Sequence, residues 1–212
     1  MVDSEVLVTK AHVRALVNAG YSITEAQLVD RFLGVSDRHM YAEIEREIGR
    51  ALPGRYHKEL SEHLQRMMAA ELSPVPGVAD ALSRLRHPAC VASSSTSEML
   101  AFKLHRTDLL HRFEGRVFSV DDVRLGKPAP DLFLHAARRL GVEPNACVVI
   151  EDSVNGIRAA RDANMRAIGF VGASHIPEGY GQRLRDAGAE AVFPSFQRLS
   201  DEMPELFTSY PG

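Results

Sequence analysis

The sequence has 212 residues, of which 45% are hydrophobic and 25% are charged, so it has room for one large globular domain or a domain plus an insertion. Its 25 basic and 28 acidic residues leave a net charge of -3 without a basic block, which argues against nucleic acid as a partner. Two cysteines are too few for a disulfide framework or a Cys-based zinc site, and no apolar stretch reaches the roughly 18 residues of a membrane helix. We therefore expect a cytoplasmic protein with no membrane segment and with buried cysteines.

The first part of the chain predicts helices only. From Asp3 to about Ser73 the apolar residues recur at helical spacing. After Pro74 short apolar runs alternate with helical patterns. In chain order we predict helix 77–86, strand 89–93, helix 97–105, strand 116–119, helix 130–140, strand 146–150, helix 153–163, strand 166–170, helix 180–187 and strand 191–193. This alternation is typical of an α/β protein with one parallel sheet, in which ligands bind at the carboxyl ends of the strands.

Two of the predicted strand ends carry groups that could bind an anion. One strand continues into Ser93, Ser94 and Ser95, and hydroxyls beside free N–H groups at a helix start can form an anion site. A serine that only caps the helix is the alternative. Lys127 precedes a proline, and such a residue is held in extended geometry. Its alternative is a solvated lysine in a turn.

A third strand end carries two adjacent acids, Glu151 and Asp152. Neighbouring carboxylates on a tight turn suit a hard divalent cation such as Mg²⁺. The alternative is a helix-capping Asp152 beside a solvated Glu151. An anion site, a held lysine and a hard-metal site on adjacent strands of one sheet are the parts that phosphoryl transfer requires.

Five segments of the chain carry a resemblance to a known family. They are VDSE at 2–5, LGVS at 33–36, VASSS at 91–95, GKPAPD at 126–131 and VVIEDSVNGIRAARDA at 148–163. In their order and spacing the chain resembles the haloacid dehalogenase-like hydrolases, in the capped phosphatase and β-phosphoglucomutase-like branch. The resemblance implies a Rossmann-like parallel sheet core made of 1–10 and 75–212, with its first, central strand absent from the printed sequence. It also implies a helical cap made of 11–74 that closes over the site and excludes water.

The resemblance implies a role for each of the three strand ends. Ser93, assisted by the backbone of Ser94, would bind the transferring phosphoryl group. Lys127 would neutralise the phosphorylated aspartate that forms during the reaction. Asp152 and Glu151 would hold Mg²⁺, either directly or through water.

The resemblance also implies the class of substrate. The loop at 33–38 is the part of the cap most expected to face the pocket, with Ser36, Asp37 and Arg38 as candidate substrate contacts. The implied activity is Mg²⁺-dependent hydrolysis of a small phosphorylated metabolite, such as a sugar phosphate, by a monomeric protein. A phosphomutase of the same family is an alternative, although this chain has Val8 where resembling mutases carry a histidine.

One motif of the family does not occur in the sequence. Its nucleophile is the first aspartate of an Asp-x-Asp-Gly motif at the end of the central strand, and the second aspartate is the general acid/base. Counting back from Asp3 puts both aspartates a few residues upstream of Met1, and we do not expect Asp121 or Asp122 to replace them. We therefore expect Met1 to be an internal methionine, and the chain as printed to fold poorly and to be inactive. The alternative is a non-catalytic protein that binds phosphate or a metabolite.

Overall fold

The computed structural model describes residues 1–32, 35 and 37–207 and forms two compact units. One unit is Asp3–Ser73, and the other combines Met1–Val2 with Pro74–Gly212. The first helix, Glu5–Asn18, lies in the first of these units, and the predicted core assignment of 1–10 stays a prediction. The assignment of 11–74 as a cap stays a prediction. No helix in the described ranges is both long enough and apolar enough to span a membrane.

The unit at Asp3–Ser73 is helical in its described part, as the apolar spacing predicts. Its helices are α1 (Glu5–Asn18), α2 (Glu25–Phe32), α3 (Asp37–Ile48) and α4 (Tyr56–Glu71). All four contribute to one apolar cluster, in which Leu16, Ile44 and Tyr56 are almost fully buried. Gly20 follows α1 with a φ of 87°, a left-handed conformation that favours glycine after a helix end.

The other unit alternates helices with strands, which confirms the predicted α/β class. Its elements are α5 (Val78–Arg84), β1 (Val91–Ser93), α6 (Ser97–Arg106), β2 (Val117–Ser119), α7 (Asp131–Leu140), β3 (Val148–Glu151), α8 (Val154–Asp162), β4 (Arg166–Phe170), α9 (Tyr180–Asp186), β5 (Ala191–Phe193) and α10 (Phe196–Glu202). Short 3₁₀ turns lie at Leu110–Phe113, Val120–Asp122 and Pro144–Ala146.

The described strands form two parallel sheets, which fits the predicted parallel sheet core that lacks its first, central strand. One sheet pairs β1 with β2, and the other has the order β3-β4-β5. The N–H of Val91 donates to the carbonyl of Arg116, so Val91 bonds toward β2 and the backbone groups of Ala92 face the opposite edge. No described strand pairs with β1 on that edge, and β3 pairs only with β4 in the same part of the chain. Within the described residues the two sheets therefore share no strand-pairing hydrogen bonds.

A common apolar cluster nevertheless packs against both sheets. It includes Val91 of β1 and Ile168 of β4, together with residues of α5, α6 and α10. The side chains of β3 are less buried than those of β4: Ile150 is 38% exposed, whereas Ile168 is 1% exposed. Cys90 and Cys147, which precede β1 and β3, are only partly buried, so the prediction of buried cysteines is wrong. Burial is still sufficient to raise the pKa of the Cys90 thiol to about 11.

Candidate active site

The serine loop, residues 93–97, connects the end of β1 to α6. Thr96 caps this helix, because its Oγ1 accepts a hydrogen bond from the backbone N–H three residues later at 3.4 Å. The reading of a preceding serine as the helix cap is therefore wrong. Ser93 Oγ instead accepts from the N–H of Ser95 at 3.1 Å, and Ser95 Oγ accepts from Nζ of Lys103 at 3.1 Å. The Ser93 hydroxyl is thus held within the loop, and the Ser95 hydroxyl is held by a lysine of α6.

Two aspartates after β2 form hydrogen bonds with backbone N–H groups near this loop. Oδ2 of Asp121 accepts from the N–H of Ser97 at 2.7 Å. Oδ2 of Asp122 accepts from the N–H of Ser119 at 2.7 Å and closes the turn at the end of β2. Hydroxyls of Ser97 and Ser119 also share a hydrogen bond of 2.7 Å. These contacts hold the ends of β1 and β2 together.

Lys127 connects the ends of β1 and β3. Its Nζ donates to the carbonyl oxygen of Ala92 at 3.2 Å and forms an ion pair with Oε1 of Glu151. The ammonium also lies 4.6 Å from the centre of the Phe133 ring, where a cation is attracted to the aromatic face. Only 8% of the lysine side chain is exposed. The alternative of a solvated turn lysine is therefore wrong.

The Glu151 carboxylate points back into the turn between β3 and α8. Its Oε2 accepts from the N–H of Asp152 at 3.0 Å and from the N–H and hydroxyl of Ser153 at 3.1 and 3.0 Å. Ser153 caps α8, because its Oγ accepts from the N–H of Gly156 at 3.0 Å. The alternative of an Asp152 cap beside a solvated Glu151 is therefore wrong, since only 10% of the Glu151 side chain is exposed.

The charge of Glu151 follows from these partners. Burial acts to raise the pKa of its carboxyl group, but the Lys127 ammonium and the hydrogen bonds from Lys127 and Ser153 outweigh burial, so the pKa lies below its usual value. Gly156 leaves the space for this arrangement, because a Cβ at that position would lie 2.1 Å from Cδ of Glu151. Glu151 is therefore charged at neutral pH.

A divalent cation would need several oxygen ligands at this strand end. Both oxygens of Glu151 are engaged by Lys127 and by the turn before α8. Asp152 is a second, partly exposed carboxylate. In the part of the chain that the structure describes, no three His, Cys, Asp or Glu side chains form a group that could hold a metal ion. These residues do not make a Mg²⁺ site by themselves, and we derive no reaction step from a bound metal.

The candidate substrate contacts in the helical unit remain predictions. Ser36 lies outside the described residues. Asp37 is the first residue of α3, and both Asp37 and Arg38 are exposed. The pKa of His12 in α1 is lowered by burial, although the negative charge of Asp37 acts to raise it.

Sequence reasoning missed three residues that shape the strand ends, namely Lys103, Ser153 and Gly156. Lys103 had a signal, because it lies beside Leu100 and Leu104 at helical spacing on the buried face of α6. A lysine at such a position needs a polar partner. The requirement for Gly156 had no local signal, because it depends on the direction of the Glu151 side chain.

Comparisons with known proteins agree with this architecture. A family model described as haloacid dehalogenase-like hydrolase matches residues 2–164. The chain is 29% identical over 180 residues to 6-phosphogluconate phosphatase from Escherichia coli (strain K12), covering 82% of this chain and 80% of that protein. It is 32% identical over 197 residues to the phosphorylated carbohydrates phosphatase of Thermotoga maritima, covering 91% and 88%. A solved structure of a HAD family hydrolase from Deinococcus radiodurans R1, with bound phosphate and sodium, has 27% identity and a TM-score of 0.84 over 98% of this chain and 93% of that chain.

The fold is an α/β unit with an additional helical unit. The family model covers more than half of the chain, and the Thermotoga relative aligns with most of it. The chain therefore belongs to the haloacid dehalogenase-like hydrolase family. The resemblance inferred from the sequence segments is confirmed.

Proposed function

We propose that this protein is a phosphatase-type hydrolase of small phosphorylated metabolites, with sugar phosphates as the substrate class. The observation that carries the proposal is that Lys127 contacts the ends of both β1 and β3, at the same end of β1 as the serine loop. A phosphate monoester is a dianion and needs fixed hydrogen-bond donors together with a cation. The names of the two phosphatase relatives support sugar phosphates as the substrate class.

In this proposal each strand end has one task. Ser93 and the backbone of Ser94 bind the phosphoryl oxygens. Lys127 neutralises the charge that develops on the phosphoryl group, and Glu151 acts by holding the Lys127 ammonium in position. Asp152 is the carboxylate that would contribute to Mg²⁺ binding. Further ligands would come from the proposed segment upstream of Met1. The same proposal includes the candidate substrate contacts in the helical unit. It also includes a monomeric state and a small phosphorylated metabolite as the partner.

The proposed chemistry uses a phosphoaspartyl intermediate, and no Asp-x-Asp-Gly occurs in the 212 residues. We propose that the nucleophile lies upstream of Met1, on a strand that fits between β1 and β3. Two features support this proposal: the backbone groups of Ala92 face away from β2, and Ile150 is 38% exposed although strands of parallel sheets are normally covered. The absence of the motif from the printed sequence favours the second candidate, a non-catalytic protein that binds phosphate.

The test compares the 212-residue chain with a form extended by the residues encoded upstream in frame. Release of phosphate from a panel of sugar phosphates is measured with Mg²⁺ and with a chelator. We expect Mg²⁺-dependent release by the extended form alone. In the extended form, Lys127→Met and Ser93→Ala should each lower kcat/KM by about 10²- to 10³-fold, as for other groups that stabilise a charged transition state. Lys58→Met is the matched control, because its side chain is 81% exposed.

Three outcomes would change the proposal. Turnover by the 212-residue chain that disappears in Lys127→Ala would contradict an upstream nucleophile. Phosphate binding without turnover by either form, or a stop codon in frame directly before the Met1 codon, would favour the non-catalytic binder. Interconversion of sugar phosphate isomers without release of phosphate would indicate a phosphomutase.

A further inference from the structure

Lys103 is a buried lysine that contacts the serine loop. The residue is 6% exposed and lies on the face of α6 that buries Leu100 and Leu104. Its Nζ is 3.1 Å from Oγ of Ser95. Burying an ammonium group costs free energy unless it is hydrogen-bonded, whereas a methionine would fill a similar space without that cost. Packing alone therefore does not account for a lysine at this position.

The direction of the hydrogen bond constrains the Ser95 hydroxyl. An ammonium group has three donors and no acceptor, so Ser95 Oγ must accept from Lys103. The hydroxyl hydrogen of Ser95 can then only be donated to a different group. Ser93 is in the same situation, because its Oγ accepts from the N–H of Ser95 at 3.1 Å. Among contacts within the described residues, both hydroxyls act as acceptors and neither acts as a donor.

Two ammonium groups therefore approach one short stretch of chain. Lys127 contacts the carbonyl of Ala92, and Lys103 contacts the Ser95 hydroxyl three residues later. A group that accepts hydrogen bonds from both serine hydroxyls beside two cations must be rich in acceptors and negatively charged. The phosphoryl oxygens of a phosphate monoester meet both requirements.

We propose that Lys103 is a positioning residue that holds the Ser95 hydroxyl as a donor to the phosphoryl oxygens, so that Ser95 joins Ser93 in binding phosphate. This inference rests on the proposed function, because it takes the serine loop as the phosphate site. Lys103 acts through Ser95 and does not touch the substrate. A donor that is already oriented before binding loses little in reorganisation when the anion arrives.

The experiment measures binding of inorganic phosphate to the extended form of the chain by isothermal titration calorimetry. Lys103→Met removes the ammonium and keeps most of the buried stem, and Ser95→Ala removes the hydroxyl. Each should raise the Kd for phosphate about tenfold, the usual effect of losing one hydrogen bond to a charged group. Lys103→Arg retains a cation and should recover most of the binding. Lys58→Met removes an exposed lysine and should leave the Kd unchanged.

A double variant separates positioning from general support of the fold. If Lys103 acts through Ser95, Lys103→Met combined with Ser95→Ala should bind phosphate no more weakly than either single variant. Thermal unfolding of each variant shows whether it is folded. If Lys103→Met does not fold, Ser95→Ala and Lys103→Arg still decide the outcome, because a loss in Ser95→Ala and retention in Lys103→Arg support the proposal and the opposite pattern contradicts it.

The outcomes distinguish this inference from the proposed function. Phosphate binding by the unaltered chain with an unchanged Kd in Ser95→Ala, or with additive losses in the double variant, would overturn the role of Lys103 and leave the phosphate site intact. Failure of the unaltered chain to bind phosphate would overturn the phosphate site, and with it both proposals.

Discussion

The two ends of the β3-β4-β5 sheet carry ion pairs of opposite character. At the carboxyl end, Lys127 and Glu151 pair with 8% and 10% of their side chains exposed. At the amino end, Arg166 Nε and Glu190 Oε2 pair at 3.0 Å with 44% and 43% exposed. Water solvates the second pair whether or not it forms, so its contribution to stability is small. Removing one partner of the first pair leaves a charge without water or a counter-charge.

The low exposure of the Lys127–Glu151 pair indicates a geometric role. A buried ion pair is weak evidence of stability, because the cost of removing two charges from water offsets much of their attraction. Its geometric effect is definite: Glu151 is tied to the turn before α8, and Lys127 is tied to the carbonyl of Ala92. The pair therefore holds an ammonium at the ends of two strands that belong to different sheets. The exposed pair at the amino end is not held in this way.

The largest effect on stability is expected from Glu151→Gln, which leaves the Lys127 ammonium beside a neutral amide. The free energy of unfolding, measured by urea denaturation, should fall by about 3–5 kcal/mol. The double variant with Lys127→Met should recover much of this loss, because neither charge remains. A stability of Glu151→Gln equal to that of the unaltered chain would show that water reaches the pair in solution.

Acid removes the Glu151 charge by protonation. The resulting loss in the free energy of unfolding should be no larger than the loss in Glu151→Gln. The folded pKa of Glu151 lies below the unfolded value of 4.5. The contribution of the pair is therefore complete above the unfolded pKa and is lost as the pH falls through the folded pKa. Urea midpoints should fall more steeply for the unaltered chain than for Glu151→Gln between about pH 5 and about pH 3. Parallel curves for the two proteins would contradict the lowered pKa.

The sequence predicts which residues lie at this end of the sheet, because the signals are local. The apolar run that ends at Glu151 predicts a strand, and the proline after Lys127 predicts a constrained lysine. The partner of each charge is not local. Whether Glu151 contacts water, metal or lysine depends on a side chain 24 residues away in the chain. The adjacent acids therefore predict a charged site but not the ion pair within it.

The parallel direction of the strand pairs was predictable from the sequence. Alternation of strands with helices predicts parallel pairing, and each observed pair is parallel. In the described part of the chain β1 and β3 do not pair, which fits the expectation that the central strand is absent from the printed sequence. The apolar run around Ile150 alone predicts a buried strand, but the Ile150 side chain is 38% exposed. The local sequence therefore does not predict this exposure.

A steric change tests whether the Glu151 carboxylate needs its position near α8. Alanine is the better helix former by about 1 kcal/mol, so Gly156→Ala should stabilise an unobstructed helix. Here the new Cβ would lie 2.1 Å from Cδ of Glu151, and we expect a net loss of about 1–3 kcal/mol in the free energy of unfolding. Gly54→Ala is the control, because nothing lies within 4 Å of a Cβ at that position. A stabilised Gly156→Ala variant would mean that the carboxylate can leave its hydrogen bonds without loss.

The smallest effect is expected at the amino end of the same sheet. Glu190→Gln should lower the free energy of unfolding by only about 0.2–1 kcal/mol, because both partners remain solvated and Arg166 has a second acid, Glu205, at 3.8 Å. Urea denaturation at low salt and at about 1 M salt should show this loss shrinking, since the Debye length falls to about 3 Å at about 1 M. The loss in Glu151→Gln should persist, because salt does not screen a charge that water does not reach. A similar salt dependence for the two variants would mean that burial does not distinguish the two pairs.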